Sequence, residues 1–304
     1  MRSIALLDGG LGQEIYRRAR DVSSPLWSVA VMLEQPELVT AVHADFIRAG
    51  AKTLSLNTYA ATPTRLHKQG LHGQLLAIHQ QAFQVLGEAI NTTGAQVDIA
   101  GCLPPLTGSY QGQPDRPFDD LRDEYATLVE LQAGADVFLI ETMTNTLEAL
   151  AACAAVSMSG KPYGVAFRLE GNGRLKSGES LAEAVSAVKA YAPTAVMLNC
   201  CEPERVTASM PDLVRLYPRA GAYANAFKSV QALASGGSVD ALEARADISP
   251  QAYAAQVRLW LADGASVIGG CCEITPAHIG HLASTLADEF EFIRFSQLGD
   301  ASIP

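Results

Sequence analysis

The cysteines of this chain fall where sulfur can do chemistry. Cys271 and Cys272 are adjacent and follow the apolar run Val267-Ile268-Gly269-Gly270. Cys200 and Cys201 are adjacent too, and follow Val196-Met197-Leu198-Asn199, a run of the same build. Two buried strands ending in thiols would gather soft donors at one end of a parallel sheet. Three thiolates with one position left open suit zinc, which prefers four tetrahedral ligands and takes sulfur where magnesium and calcium do not. Neighbouring residues of a strand point to opposite faces. Cys271 and Cys272 can therefore share one metal only if the strand gives way to a turn, and Gly269-Gly270 would ease that departure. Cys201 is expected to point away from Cys200's site. Other readings are cysteines that fill core volume, a structural zinc with four ligands from compact knuckles, and a redox pair, which lacks the C-x-x-C spacing.

Strands alternating with helices must position these thiols. Strands are predicted at Ser3–Asp8, Thr53–Asn57, Gln96–Gly101, Val137–Ile140, Tyr163–Phe167, Ala195–Asn199, Gly221–Ala224 and Ser266–Gly270. Helices are predicted from Pro36 to Gly50, then over Thr64–Asn91, Asp119–Ala133, Thr146–Ser157, Ser180–Tyr191, Pro203–Leu216, Gln251–Ala262 and Pro276–Glu289. A Pro/Gly-rich loop spans Leu103 to Pro117, and an irregular segment runs from Asn225 to Ser249. The alternation implies parallel pairing, and eight such units are the count of a (β/α)8 (TIM) barrel, here one domain over residues 1–304. An open doubly wound sheet is the alternative. It would usually carry G-x-G-x-x-G after its first strand, whereas Asp8-Gly9-Gly10-Leu11-Gly12 stands there.

A barrel brings the C-terminal ends of its strands to one mouth, where chemistry sits. The residues at those ends are Asp8, Asn57-Thr58, Cys102, Glu141-Thr142, Cys200, Asn225 and Cys271-Cys272. Such groups are poor companions for apolar strands unless they have work to do. Asp8 and Glu141 could hold an ammonium group, act as a glycosidase-like carboxyl pair, or serve as caps and loop carboxylates. Trp27, in the first βα loop, could stack on a cationic methyl donor or anchor the loop. His278 and His281 fall in the last helical pattern and read as surface or core residues.

Composition narrows the partners. With 22 basic against 32 acidic residues and a net charge of −10, nucleic acid and anionic membranes are disfavoured. No apolar run has the length of a membrane span, and the chain opens into a strand without the sections of a signal peptide. A cytoplasmic protein acting on small molecules is expected. Six cysteines in a chain this long point to metal or catalysis more than to disulfides. Nothing in the pattern points to a particular oligomeric state.

The stretches Leu7-Asp8-Gly9-Gly10-Leu11-Gly12, Leu26-Trp27-Ser28, Asn57-Thr58-Tyr59-Ala60-Ala61-Thr62, Ile140-Glu141-Thr142, Leu198-Asn199-Cys200 and Ile268-Gly269-Gly270-Cys271-Cys272 together resemble the homocysteine S-methyltransferases. These zinc enzymes share a barrel with betaine–homocysteine methyltransferase and the homocysteine domain of cobalamin-dependent methionine synthase. The resemblance implies that Cys200, Cys271 and Cys272 are the zinc ligands. It places Asp8 and Glu141 near the amino acid substrate, with Glu141 toward its ammonium group, and Gly9 offers a backbone amide to the carboxylate. Asn57, Thr58, Trp27 and Asn225 join them as candidate substrate contacts. The implied reaction moves a methyl group from a sulfonium donor to homocysteine, giving methionine. The Leu-Trp-Ser segment looks more like members that use S-methylmethionine than like the betaine-dependent ones. S-adenosylmethionine, betaine or a corrinoid partner are other donors, selenohomocysteine or another small thiol other acceptors, and a non-catalytic zinc- or amino-acid-binding barrel a further alternative. Three features depart from the family pattern. They are Cys201 beside the ligand cysteine, Glu273-Ile274-Thr275 where Arg-Thr-Thr often follows the thiol pair, and Cys102-Leu103-Pro104-Pro105-Leu106 in place of Gly-Pro-Tyr-Gly.

Overall fold

The apolar runs read as strands do form strands, and their alternate residues face opposite ways, as the two-residue period of a strand requires. The structure is a computed structural model that describes residues 1–19, 24–106, 108–114, 116–229 and 242–299. The part of the predicted irregular segment at 230–241 lies outside the described residues. β1 (Arg2–Leu6) leads into α1 (Leu11–Arg18), α2 (Ser28–Glu34) and α3 (Pro36–Arg48). β2 (Thr53–Ser55) is followed by α4 (Pro63–Lys68), a 3-10 turn (His72–Gln74) and α5 (Leu75–Thr93). Then come β3 (Asp98–Leu103), α6 (Phe118–Leu131), β4 (Val137–Met143), α7 (Thr146–Ser157), β5 (Tyr163–Phe167) and α8 (Leu181–Lys189). β6 (Ala195–Asn199), α9 (Pro203–Leu216), β7 (Ala220–Tyr223), α10 (Pro250–Asp263), β8 (Val267–Ile268), α11 (Pro276–Leu286) and β9 (Phe290–Ile293) follow, with a last 3-10 turn at Phe295–Gly299.

All strand pairs are parallel, in the order β2-β3-β4-β5-β6-β7-β8-β1-β9. The sheet curls until its two sides meet. Leu7 bridges Thr53, the Asp8 N–H donates to Thr53 O at 3.0 Å, and the Lys52 N–H donates to Leu6 O at 2.8 Å. The result is the expected (β/α)8-type barrel with one strand more than expected.

That extra strand, β9, pairs with β1 from Arg2 to Ala5. The sequence reading merged its approach into the last helix, because the turn at Ala287–Glu289 carries no glycine or proline. The segment after β9 plugs the barrel floor. Phe295 and Leu298 join the inward-facing cluster of Ala5, Leu7, Ala100, Val137, Leu139, Ala166, Ala195, Met197, Tyr223 and Val267. The intervening strand residues, such as Leu6, Phe138, Ile140, Val165, Val196 and Ile268, pack outward against the helices.

Three other expectations are corrected. α1 and α2 lie where the first βα loop was expected, and neither starts with a side-chain cap that would announce it. The predicted helix Thr64–Asn91 is broken into α4, the 3-10 turn and α5, with Gly70 at φ +69° interrupting it. β2 and β8 stop two residues short of their predicted ends, at Ser55 and Ile268. Those missing residues are the ones that turn into the mouth.

Candidate metal centre and active site

The inward parity of each strand decides what reaches the mouth. On β3, Ala100 is followed two residues on by Cys102; on β4, Val137 and Leu139 are followed by Glu141; beyond β8, Val267 and Gly269 are followed by Cys271. All lie on one inward row. Cys200 is out of phase, since Ala195 and Met197 give β6 its inward row. It reaches the cavity because its backbone turns left-handed, at φ +52°. Thr142 makes the same turn at φ +63°, where the β4–β5 register shifts. Both conformations are unfavourable for side chains with a Cβ. The Asn199 amide ties the two turns together, accepting from the Thr142 N–H at 2.9 Å and donating to Thr142 Oγ1 at 3.0 Å.

The sulfurs of Cys200, Cys271 and Cys272 lie within 4.8 Å of one another. Cys271 Sγ is 3.9 Å from Cys272 Sγ and 2.7 Å from Cys200 Sγ. Tetrahedral Zn–S bonds of about 2.3 Å would set sulfurs about 3.8 Å apart. The Cys271–Cys272 edge of the triangle already has about that length, and the Cys200–Cys271 edge would open by about 1 Å. Hydrogen bonds from its two neighbours hold the Cys200 thiol well below the usual thiol range, while the Cys271 and Cys272 thiols are pushed well above it. Three convergent sulfurs are a donor set that fits a soft metal. The Tyr110 hydroxyl donates to Cys200 Sγ at 3.5 Å, and the Arg168 guanidinium lies over the Tyr110 ring at 5.0 Å. Cys201 points away, as expected: it is buried against Leu169, accepts from its N–H at 3.2 Å, and has a thiol pushed up to about 12 by burial.

The glycines beside the thiols serve close approach rather than turning. Neither Gly269 nor Gly270 has positive φ. A Cβ on Gly270 would lie 2.2 Å from Ile274 Cγ2, and one on Gly10 would lie 2.6 Å from Cys271 O. The Gly9-Gly10 and Gly269-Gly270 pairs interlock where β1 and β8 end. Gly270 N–H donates to Asp8 O at 2.9 Å, and Gly10 N–H donates to Ile274 O at 2.8 Å.

A cavity of about 580 Å³ opens above the thiols. Asp8, Gly9, Trp27, Asn57, Glu141, Cys200, Cys271 and Cys272 all line it. Asp8 accepts from the Ser55 N–H at 2.9 Å, and burial raises its pKa to about 7 against that bond. Glu141 accepts from the Cys102 thiol at 2.8 Å, and burial raises it to about 7 as well. Asn57 is occupied by a neighbour: Ser28 Oγ donates to its Oδ1 at 2.7 Å and its Nδ2 donates to Ser28 O at 2.9 Å. That clamp fixes the residue after Trp27, which itself has φ +50°. Thr58 and Asn225 are not among the cavity's lining residues. Thr58 bonds to Gln132 Oε1 at 3.2 Å, and Asn225 Nδ2 donates to Cys200 O at 2.9 Å. Glu273, at φ +65°, accepts from Gln13 Nε2 at 2.7 Å, so the charge reversal beside the thiol pair is turned from the cavity. Tyr59, which belongs to one of the family-like stretches, also lines it, as do Arg65, Tyr110, Tyr223 and Phe227, which no sequence motif singles out.

A parallel barrel with three convergent thiols and two buried carboxyls at its mouth defines a class of barrel enzymes with a thiol cluster in the cavity. Within that class the chain belongs to the homocysteine S-methyltransferase family, whose model matches residues 5–286. It is 29% identical to homocysteine S-methyltransferase of Escherichia coli strain K12, over 92% of this chain and 94% of that protein. It is 24% identical to a selenocysteine Se-methyltransferase of Brassica oleracea var. italica, over 90% of this chain and 86% of that protein. The metallated form of the homocysteine methyltransferase MmuM from Escherichia coli superposes with a TM-score of 0.78, at 27% identity, covering 93% of this chain and 96% of that one. Among the described residues no helix is long and apolar enough to cross a membrane.

Proposed function

We propose that this chain is one homocysteine-binding barrel that moves a methyl group from a sulfonium donor, S-methylmethionine foremost, to the thiol of homocysteine. The observation that carries this reading is the convergence of Cys200, Cys271 and Cys272 on one cavity that also holds two buried carboxyls. Those three thiolates would hold zinc, which supplies Lewis acidity that makes a substrate thiol a thiolate near neutral pH. Asp8 and Glu141 receive the substrate ammonium group, with Glu141 the nearer candidate for it. The Gly9 N–H is offered to the carboxylate. The methyl group passes in line between two sulfurs and a neutral thioether leaves, so the side chains align reactants instead of carrying protons. Trp27, Tyr110, Tyr223 and Phe227 wall the cavity and exclude water. Asn57, on the cavity wall, holds the Trp27 turn, and behind the wall Thr58 fixes Gln132 and Asn225 braces the Cys200 carbonyl. A cytoplasmic location fits this chemistry of small soluble substrates.

Zinc-loaded protein given homocysteine and a panel of S-methylmethionine, S-adenosylmethionine and betaine is expected to form methionine, fastest with S-methylmethionine. Absence of methionine with every donor would sink the enzymatic reading in favour of a binding barrel. Methionine formed from betaine alone would replace the donor.

A further inference from the structure

Both side chains assigned to the substrate's ammonium group are carboxyls, yet an amino acid has a carboxylate as well. Among the described residues, Arg65 is the one cationic side chain lining the cavity. It belongs to α4, just beyond β2. Its Nη2 donates to Pro105 O at 2.7 Å and its Nε to Leu106 O at 3.4 Å, while its guanidinium lies over the Tyr59 ring at 5.2 Å. Carbonyl oxygens fix a guanidinium without neutralising it. Nη1 donates to nothing among the described residues, and none of their carboxylates forms an ion pair with Arg65. Glu148, the buried carboxyl within its electrostatic reach, is occupied by the Leu106 N–H at 2.7 Å and by Asn145. A planar fork held in this way and left unpaired at one end is built to take a carboxylate.

The position says whose carboxylate. The thiols come from the ends of β6 and β8, whereas Arg65 rises from the β2–β3 side, across the mouth. Tyr59, whose ring lies against the Arg65 guanidinium, lines the same cavity as Cys200 and Glu141. An acceptor sulfur held at the thiol cluster must attack the donor's methyl carbon from its free side, away from that cluster. The methyl donor therefore lies toward β2 and β3. We infer that Arg65 is the carboxylate anchor of the methyl donor, making this chain selective for sulfonium donors that carry a carboxylate. The inference rests on the methyl-transfer reading and adds to it the feature by which the donor is recognised.

The test compares S-methylmethionine with its decarboxylated analogue, (3-aminopropyl)dimethylsulfonium, on zinc-loaded wild type, Arg65→Gln and Arg65→Lys. Arg65→Gln is expected to lose about 10- to 100-fold in kcat/KM with S-methylmethionine, the range of a lost charge-assisted hydrogen bond. It should keep wild-type kcat/KM with the analogue and wild-type KM for homocysteine, and Arg65→Lys should recover part of the loss. Equal losses on both donors would reduce Arg65 to a brace for the Pro105-Leu106 loop and overturn the assignment. So would unchanged discrimination, or a loss that appears in the homocysteine KM. A wild type that turns over neither donor would instead sink the methyl-transfer reading itself.

Discussion

Asp8 and Glu141 give the site a pH dependence that can be derived. Each is buried, and burial raises each pKa to about 7. A carboxyl with a raised pKa is neutral below that value and charged above it, so its attraction for an ammonium group grows as pH climbs through 7. The kcat/KM for homocysteine is expected to rise between pH 6 and pH 8. In Glu141→Gln the same profile should be shallower, with a higher homocysteine KM at pH 8. A profile unchanged by that substitution would remove Glu141 from substrate recognition. The thiols were legible at this scale because adjacent cysteines after apolar runs have few structural uses. The reach of Cys200 was not, since it depends on a left-handed turn that Asn199, the residue before it, ties to Thr142 at the end of β4. Arg65 and Tyr110 were missed for a related reason. A helix or loop residue faces a cavity only through the tertiary packing of its element, and no local period records that.

At the scale of elements, the ends of β1 and β8 are one joint. Their two glycine pairs were legible as important, but the physical reason differs from the one their sequence suggests. Gly270 has an ordinary φ, so alanine fits its backbone and fails on space alone. Gly270→Ala is expected to cost about 1–3 kcal/mol, the usual penalty for overpacking, and to lower metal affinity as Ile274 and the Cys271-Cys272 turn move apart. Denaturant unfolding together with metal content measures both. If the glycine were needed only for flexibility, the substitution would leave the unfolding midpoint nearly unchanged. Most strands were legible because period-2 alternation and apolar runs survive in a parallel sheet. The helices α1 and α2 were not, because Gly10 and Trp27 occupy their N-cap positions without a capping side chain.

For the whole molecule, chemistry sits at one end of the barrel and its closure at the other. Phe295 is fully buried among the inward residues, and its N–H donates to Thr53 Oγ1 at 2.9 Å. Ser296 bonds to both oxygens of Asp98, its N–H at 2.8 Å and its hydroxyl at 3.0 Å. Phe295→Ala is expected to cost about 3–5 kcal/mol, the range for emptying a buried aromatic site, with kcat retained where the variant is folded. A large drop in kcat at full folding would mean that the floor and the mouth are coupled. The central assignment is the three-thiol metal centre, and the most direct measurement titrates zinc into chelator-stripped protein while following methionine formed from homocysteine. Activity should rise in proportion to added zinc and level off at one zinc per chain, whereas Cys272→Ala should neither retain the metal nor turn over. Full activity in the stripped protein, or in Cys272→Ala, would contradict it.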